Sequence, residues 1–249
     1  PKVYDISSPD GTLSAQVSVD QGKITWSVTK EGNLVLSPSE IAMQLADGTA
    51  YDGAVKLQKT IRSAVDNVLD ASFYKKSQVK EAYNQLQLRF KTFDLEFRAY
   101  DAGVAYRFVS KSKVPFKVAG ETARFAFPED WMMYVPYVCQ HTETLESQYY
   151  NSFENRYEHT PLSQWNKERI AFLPIMVETP QGYKINIMES DLLNYPGMYM
   201  YNSDGDSVLE ARYAPYPKDI SQGGHNSLQG VVQTREDYLA KYDGAVSFP

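Results

Sequence analysis

Only one cysteine, Cys139, stands in the 249 residues, so no disulfide can form within the chain. It closes the apolar stretch Tyr134-Val135-Pro136-Tyr137-Val138 and reads as a small buried hydrophobe, not a reactive thiol. A Gly-x-Ser-x-Gly elbow for a serine nucleophile is missing. So is a glycine-rich phosphate loop, because Gly223-Gly224 is an isolated pair. No apolar run is long enough for a helical membrane span. Basic residues do not cluster: 25 Lys and Arg are scattered among 31 Asp and Glu, for a net charge of -6. That balance repels phosphate backbones and anionic lipid, so neither nucleic acid nor membrane is expected as a partner, and a neutral ligand fits better. Histidine is scarce as well. His141, His159 and His225 share no clustered or i, i+4 spacing, and they read as solvated surface residues and not as a metal site.

What is plentiful is alternation. Leu13, Ala15, Val17 and Val19 face one way, and after a Gln21-Gly22 turn Ile24, Trp26 and Val28 do the same, which predicts a hairpin. Further strands are predicted at Ile41 to Leu45, Leu86 to Phe90, Leu95 to Ala99, Val104 to Val109, Ala123 to Phe127, Ile170 to Val177, Ile185 to Met188 and Val208 to Tyr213. Turn residues separate them, among them Asp47-Gly48, Asp101-Ala102-Gly103 and Asp204-Gly205-Asp206, the last read as a hairpin turn because it lacks the further oxygens of a calcium loop. About ten strands on short turns make an all-β domain, and their uneven lengths favour a two-sheet antiparallel sandwich over a barrel. Helix signal is confined to Ser37 to Met43 and to Thr234 to Lys241, where Thr234 is an N-cap candidate. His141 to Trp165 is polar, follows neither period and reads as a long functional loop or a surface lying against something else. No linker or repeat interrupts residues 1–249, which read as one domain with both ends cut from a longer chain.

Carboxylates and aromatics are the remaining chemistry. Glu143, Glu146, Glu154 and Glu158 lie in the long loop and read as solvated. Glu189 stands apart, because it follows an apolar strand and precedes Tyr195-Pro196-Gly197, a position that can aim a carboxylate at a neighbour. Nineteen tyrosines suit the apolar face of a sugar ring, although cross-strand packing accounts for most of them in a β domain.

Phe97-Arg98-Ala99-Tyr100-Asp101-Ala102-Gly103-Val104-Ala105-Tyr106-Arg107-Phe108 resembles a signature in the amino-terminal domain of family 97 glycoside hydrolases. The resemblance continues in order through Ser8-Pro9-Asp10-Gly11, Ser37 to Leu45, Tyr83-Asn84-Gln85-Leu86, Phe127-Pro128, Leu173-Pro174, Glu189-Ser190-Asp191-Leu192-Leu193-Asn194-Tyr195-Pro196-Gly197-Met198 and Arg235-Glu236-Asp237-Tyr238. It implies a galactose mutarotase-like β-super-sandwich that packs on a catalytic (β/α)8 barrel of the same chain. It also implies a periplasmic α-glycosidase acting on α-linked glucosides or galactosides. The general acid and the base or nucleophile belong to the barrel, so no catalytic residue is assigned here. The resemblance places on Glu189 the role of a calcium ligand contributed to the barrel's site, and a lone glutamate would not retain the ion. Two other readings stand beside this one. One is a mutarotase-like sugar epimerase working through histidines and a glutamate. The other is a carbohydrate-binding module presenting exposed aromatics.

Overall fold

The first predicted hairpin opens a meander in the computed structural model, which describes residues 1–139, 144–151, 153–223 and 228–249. Strands β1 (Lys2–Ser7), β2 (Leu13–Asp20), β3 (Lys23–Lys30) and β4 (Asn33–Leu45) pair in succession, all antiparallel. Gln21 and Gly22 turn β2 into β3 with φ of 45° and 84°, and Glu31 and Gly32 turn β3 into β4 with φ of 50° and 82°. Two left-handed residues in a two-residue loop match the right-handed twist of the strands they join.

Strands β5 (Ala50–Tyr51), β10 (Phe116–Ala126), β15 (Met198–Tyr201), β16 (Val208–Tyr213) and β19 (Ala240–Tyr242) extend the meander into a nine-stranded sheet ordered β1-β2-β3-β4-β10-β16-β15, with β5 on β4 and β19 on β10. A second sheet faces it, made of β6 (Leu57–Asp70), β7 (Gln78–Phe90), β8 (Phe93–Tyr100) and β9 (Gly103–Ser110). A third is ordered β12 (Glu158–Pro161), β11 (Met132–Val135), β13 (Ile175–Glu178) and β14 (Lys184–Ile187). It is tied to the β15 edge through bridges at Tyr137, Ala171 and Met200. A separate hairpin joins β17 (Pro217–Gly223) to β18 (Gln229–Arg235). The all-β antiparallel sandwich is therefore what the alternation predicts, with its backbone ladders divided among more than two sheets.

Aromatic side chains bind the two facing sheets together. Trp26 of β3 reaches across to Phe97 and Tyr106 of the second sheet, with ring centroids 5.9 and 5.4 Å away. Phe93 lies between Phe90 at 4.4 Å and Tyr51 at 4.8 Å, and the Tyr51 hydroxyl shares a 2.7 Å hydrogen bond with Ser110 Oγ. Burying each such ring contributes about 1.5–3 kcal/mol.

Four expectations are corrected. Ser37 to Met43 is the middle of β4, not a helix: the ladder to β3 shifts register near Val28 and the ladder to β10 shifts near Ala126, and the bulge breaks the period of two. Ser39 Oγ seals that bulge, donating to Ser37 O and accepting from Ala126 N. Thr234 to Lys241 is likewise not helical: Thr234 lies in β18, where its hydroxyl donates to Asp219, and Ala240 opens β19. Over Ile170 to Val177 only the last three residues join a strand, because Pro174 has no N–H to give the ladder. Finally, Cys139 is exposed; the buried run ends at Val138.

The long segment before Trp165 is less irregular than its composition suggests. Among its described residues are short 3-10 turns at Glu146–Tyr149 and Leu162–Gln164, the strand β12, and the buried side chains of Gln148 and Leu162. Gln148 is held on both sides, donating to Glu168 O and accepting from Ile170 N. Among the described residues no helix is long and apolar enough to cross a membrane.

The stacked Phe93 gives the sandwich its first test. Phe93→Ala is expected to lower stability by about 3–5 kcal/mol in denaturant unfolding, through lost burial plus the cavity left behind. A loss under about 1 kcal/mol would show that the two sheets are not held together there.

Candidate functional site

Glu189 sits two residues beyond the end of β14, in an irregular segment that runs to β15. Two residues of that segment, Asp191 and Asn194, take left-handed φ of 57° and 55°, a conformation that Asp and Asn tolerate better than other side chains with a Cβ. The chain then doubles back so that Met198 N donates to the Glu189 carboxylate, 3.1 Å from Oε1 and 3.0 Å from Oε2. Burial pushes this carboxyl above its ordinary range, and the Met198 N–H pulls it part of the way back.

The carboxylate lines a cavity of about 710 Å³ whose wall mixes aromatic, aliphatic and charged side chains. Tyr149, Phe172, Tyr195, Tyr199 and Tyr216 supply rings, and Arg235 and Lys241 supply positive charge. Both cations are steered by neighbours: Arg235 Nη1 donates to Pro215 O at 2.7 Å, and Lys241 Nζ lies 5.2 Å from the Tyr216 ring centroid. Around the segment, Met188 and Leu193 are 67% and 69% exposed, and Leu192 is exposed too. Such a site can stack a neutral ring, hydrogen-bond its hydroxyls and present one carboxylate.

Behind it lies a carboxyl group that reading the sequence did not single out. Glu121 of β10 pairs in register with Met43 of β4, which is fully buried, so Glu121 points into the sandwich in phase with Ala123. Tyr195 Oη donates to Glu121 Oε2 at 2.7 Å, and the Tyr213 hydroxyl lies close enough to favour the charged form of the same carboxyl. Burial raises Glu121 to about 7 against an ordinary 4.5; the two tyrosines oppose the rise, and the charge of Glu189 adds to it. Burial, followed by the Glu121 charge, in turn lifts Tyr195 and Tyr213 well above the usual phenol range and Tyr242 to about 12, so all three stay neutral. The available signal was a glutamate in an inward phase two residues before Ala123.

The other candidate residues do not gather here. His159 lies on β12 and not in an irregular loop; it is solvated, stacks on Tyr134 at 4.2 Å and shares a 2.8 Å hydrogen bond with Glu178 Oε2. Lys184 also bonds Glu178, and the two partners hold that carboxyl below its ordinary range, Lys184 first. Glu146 and Glu154 are exposed, and Glu158 faces Arg169 at 3.8 Å. Asp204-Gly205-Asp206 forms the β15–β16 turn, with Gly205 at φ 73° and its N–H donating to Asn202 Oδ1. His141, Glu143 and His225, and Gly224 of the glycine pair, lie outside the described residues. Among the described residues no group of three or more His, Cys, Asp or Glu could hold a metal ion. Glu189 could therefore be at most one ligand of a shared site.

Comparison with known proteins gives consistent matches. The family model described as Glycosyl-hydrolase 97 N-terminal matches residues 6–235. A retaining alpha-galactosidase of Bacteroides thetaiotaomicron is 44% identical over 250 residues, covering all of this chain and 38% of that protein. A probable retaining alpha-galactosidase of Streptomyces bingchenggensis is 28% identical over 148 residues, 57% of this chain and 23% of its own length. Among solved structures, a glycoside hydrolase family 97 enzyme from Pseudoalteromonas sp. in complex with acarbose superposes with a TM-score of 0.76 at 18% identity, over 99% of this chain and 34% of that one. A beta-arabinopyranosidase superposes equally well, with a TM-score of 0.76 at 19% identity, over 99% and 39%. The chain thus spans well under half the length of each of these proteins.

Glu121 also makes a pH prediction. The folded chain holds this proton more tightly than the unfolded chain does, so its contribution to stability is intact below about 4.5 and is lost as pH rises through about 7. At about 1.4 kcal/mol per unit, and discounting for the residue's remaining solvent contact, the loss is roughly 2 kcal/mol. Glu121→Gln is expected to remove that dependence, so urea unfolding at pH 5 and pH 8 should separate the two proteins only at the higher pH. Equal pH dependence in both would show that Glu121 titrates as an ordinary carboxyl.

Proposed function

This chain belongs to the glycosyl-hydrolase 97 N-terminal family, and from that premise we propose that it is the non-catalytic amino-terminal domain of a calcium-dependent α-glycosidase. It packs against a catalytic (β/α)8 barrel of the same polypeptide and lends Glu189 to a calcium ion beside the substrate. The parent enzyme is exported to the periplasm. Its substrate is an α-galactoside and its reaction retains configuration, a choice favoured by the retaining alpha-galactosidase that shares 44% identity across the whole of this chain.

The observation that carries the reading is the setting of Glu189. A half-buried carboxylate opens on the cavity, and exposed Met188, Leu192 and Leu193 flank it. Apolar side chains beside an incompletely coordinated carboxylate suit a surface that another domain covers. Calcium takes six to eight oxygen ligands, so one carboxylate is a fraction of a shell and the barrel supplies the rest. The one N–H that Glu189 accepts leaves acceptor capacity on both oxygens, which is what a bridging ligand needs. When bound, the ion supplies a fixed positive charge that polarises nearby oxygens. This chain's own part is to hold the Glu189 carboxylate in place through Met198 N–H and to present tyrosine rings beside it.

His159 beside Glu178 is the one described histidine–carboxylate pair available to an epimerase, but neither residue lines the Glu189 cavity. The isolated chain is expected to leave α/β anomer exchange of galactose at the uncatalysed rate. Acceleration abolished by His159→Ala would replace the accessory reading with the mutarotase one. In the full-length enzyme, Glu189→Gln is expected to weaken calcium binding and lower kcat/KM by about 10–100-fold, the usual range for disturbing a metal's ligand environment. Wild-type calcium affinity in that variant refutes the assignment.

A further inference from the structure

The segment that carries Glu189 is not held by a strand ladder. Between Ile187 and Met198 the chain is irregular, with two left-handed non-glycine residues and a tight Leu193 N–H to Asp191 O bond of 2.8 Å. Its apex is pinned from below at two consecutive residues. Tyr242 Oη of β19 donates to Asn194 O at 2.8 Å, and Tyr195 Oη donates to Glu121 Oε2 at 2.7 Å. The Tyr195 ring is also wedged between Tyr213 and Phe248, with centroids 5.8 and 5.6 Å away.

We propose that Glu121 is a positioning residue, an interior clamp that with Tyr195 and Tyr213 fastens the Glu189 segment to β10 and so holds the Glu189 carboxylate at the cavity. The proposal deepens the assignment of Glu189 as a calcium ligand and rests on it for its functional meaning. A leucine would fill the inward position of Glu121 without the penalty of burying a carboxyl. What the carboxyl adds is direction. It accepts from a segment residue, Tyr195, whose ring packs on a strand residue, Tyr213 of β16, and thereby registers one against the other. Glu121 sits on an interior strand of the nine-stranded sheet, β10, between β4 and β16, which makes it a rigid anchor for an otherwise irregular segment. Five residues separate the clamp at Tyr195 from Glu189, and Met198 N–H closes the segment onto the Glu189 carboxylate.

Amide exchange of Met198 in the folded 249-residue chain reads the clamp directly, with the amides of β8 reporting global opening. Tyr195→Phe keeps the ring and removes the donor; it is expected to speed Met198 exchange about tenfold, the range for one buried hydrogen bond, with β8 shifting by no more than that factor and remaining the slower to exchange. Glu121→Gln keeps an acceptor oxygen and is expected to stay within about threefold of wild type, whereas Glu121→Ala matches Tyr195→Phe or exceeds it. Met198 exchange unchanged in both Tyr195→Phe and Glu121→Ala overturns the proposal. In the full-length enzyme, Tyr195→Phe is expected to weaken calcium binding by a similar factor. Faster Met198 exchange with wild-type calcium affinity leaves the clamp standing and overturns the assignment of Glu189 instead.

Discussion

A carboxyl group turned into the space between two sheets must be met by donors, because an unmet one costs several kcal/mol in a protein interior. Glu121 imposes that constraint on the middle of this fold, and the answer to it comes from tyrosines on separate elements. Tyr213 stands on β16, and Tyr195 hangs from the segment between β14 and β15. Satisfying one buried group therefore couples the nine-stranded sheet to the least regular part of the chain near the cavity. The coupling carries a cost, visible as a carboxyl raised to about 7, and most of that rise is burial.

Everything at the candidate site follows from where that segment is held. Were it to lift from β10, Tyr195 would leave the cavity wall, Asn194 would lose the Tyr242 hydroxyl, and Met198 N–H would no longer be aimed at Glu189. The two facing sheets matter to function chiefly as the frame for this arrangement. Trp26, Phe97 and Tyr106 fix their separation, and burial, followed by the Glu121 charge, lifts the Tyr106 phenol well above its usual range.

The sandwich was legible in the sequence wherever one sheet face is buried and the other is wet. β2, β3, β8 and β16 lie where alternation places them, because each pairs on both sides or packs on the aromatic core. β6 was not legible. It is an edge strand, and of its apolar residues Leu57, Ile61 and Val65 are only partly covered, at a spacing of four that imitates neither a half-buried strand nor a core helix. β4 was misread at its bulge for a related reason, since one extra residue shifts the phase. Glu189 could be found by its position between a strand and a turn and by the family resemblance. Glu121 shares the phase of Ala123, but that phase alone does not mark a glutamate as one that is buried and satisfied. Its partners are spread from Tyr195 to Tyr213, and convergence of that kind leaves no spacing in a linear chain.

The two carboxyl groups divide the electrostatic work by how completely each is satisfied. Glu121 is the more deeply buried of the two, with the Tyr195 phenol donating to it at 2.7 Å. Glu189 is only half-buried, and a single N–H is shared between its oxygens. A carboxylate left wholly without donors at that depth would neutralise by taking up a proton and would lose its appeal to a hard cation. One surrounded by donors would have no lone pair to offer. One backbone N–H from Met198 lies between these limits: it opposes the rise that burial imposes on Glu189 and leaves lone pairs on both oxygens. The calcium role proposed for Glu189 depends on that balance, because a ligand offered to a second domain has to keep lone pairs free until the others arrive.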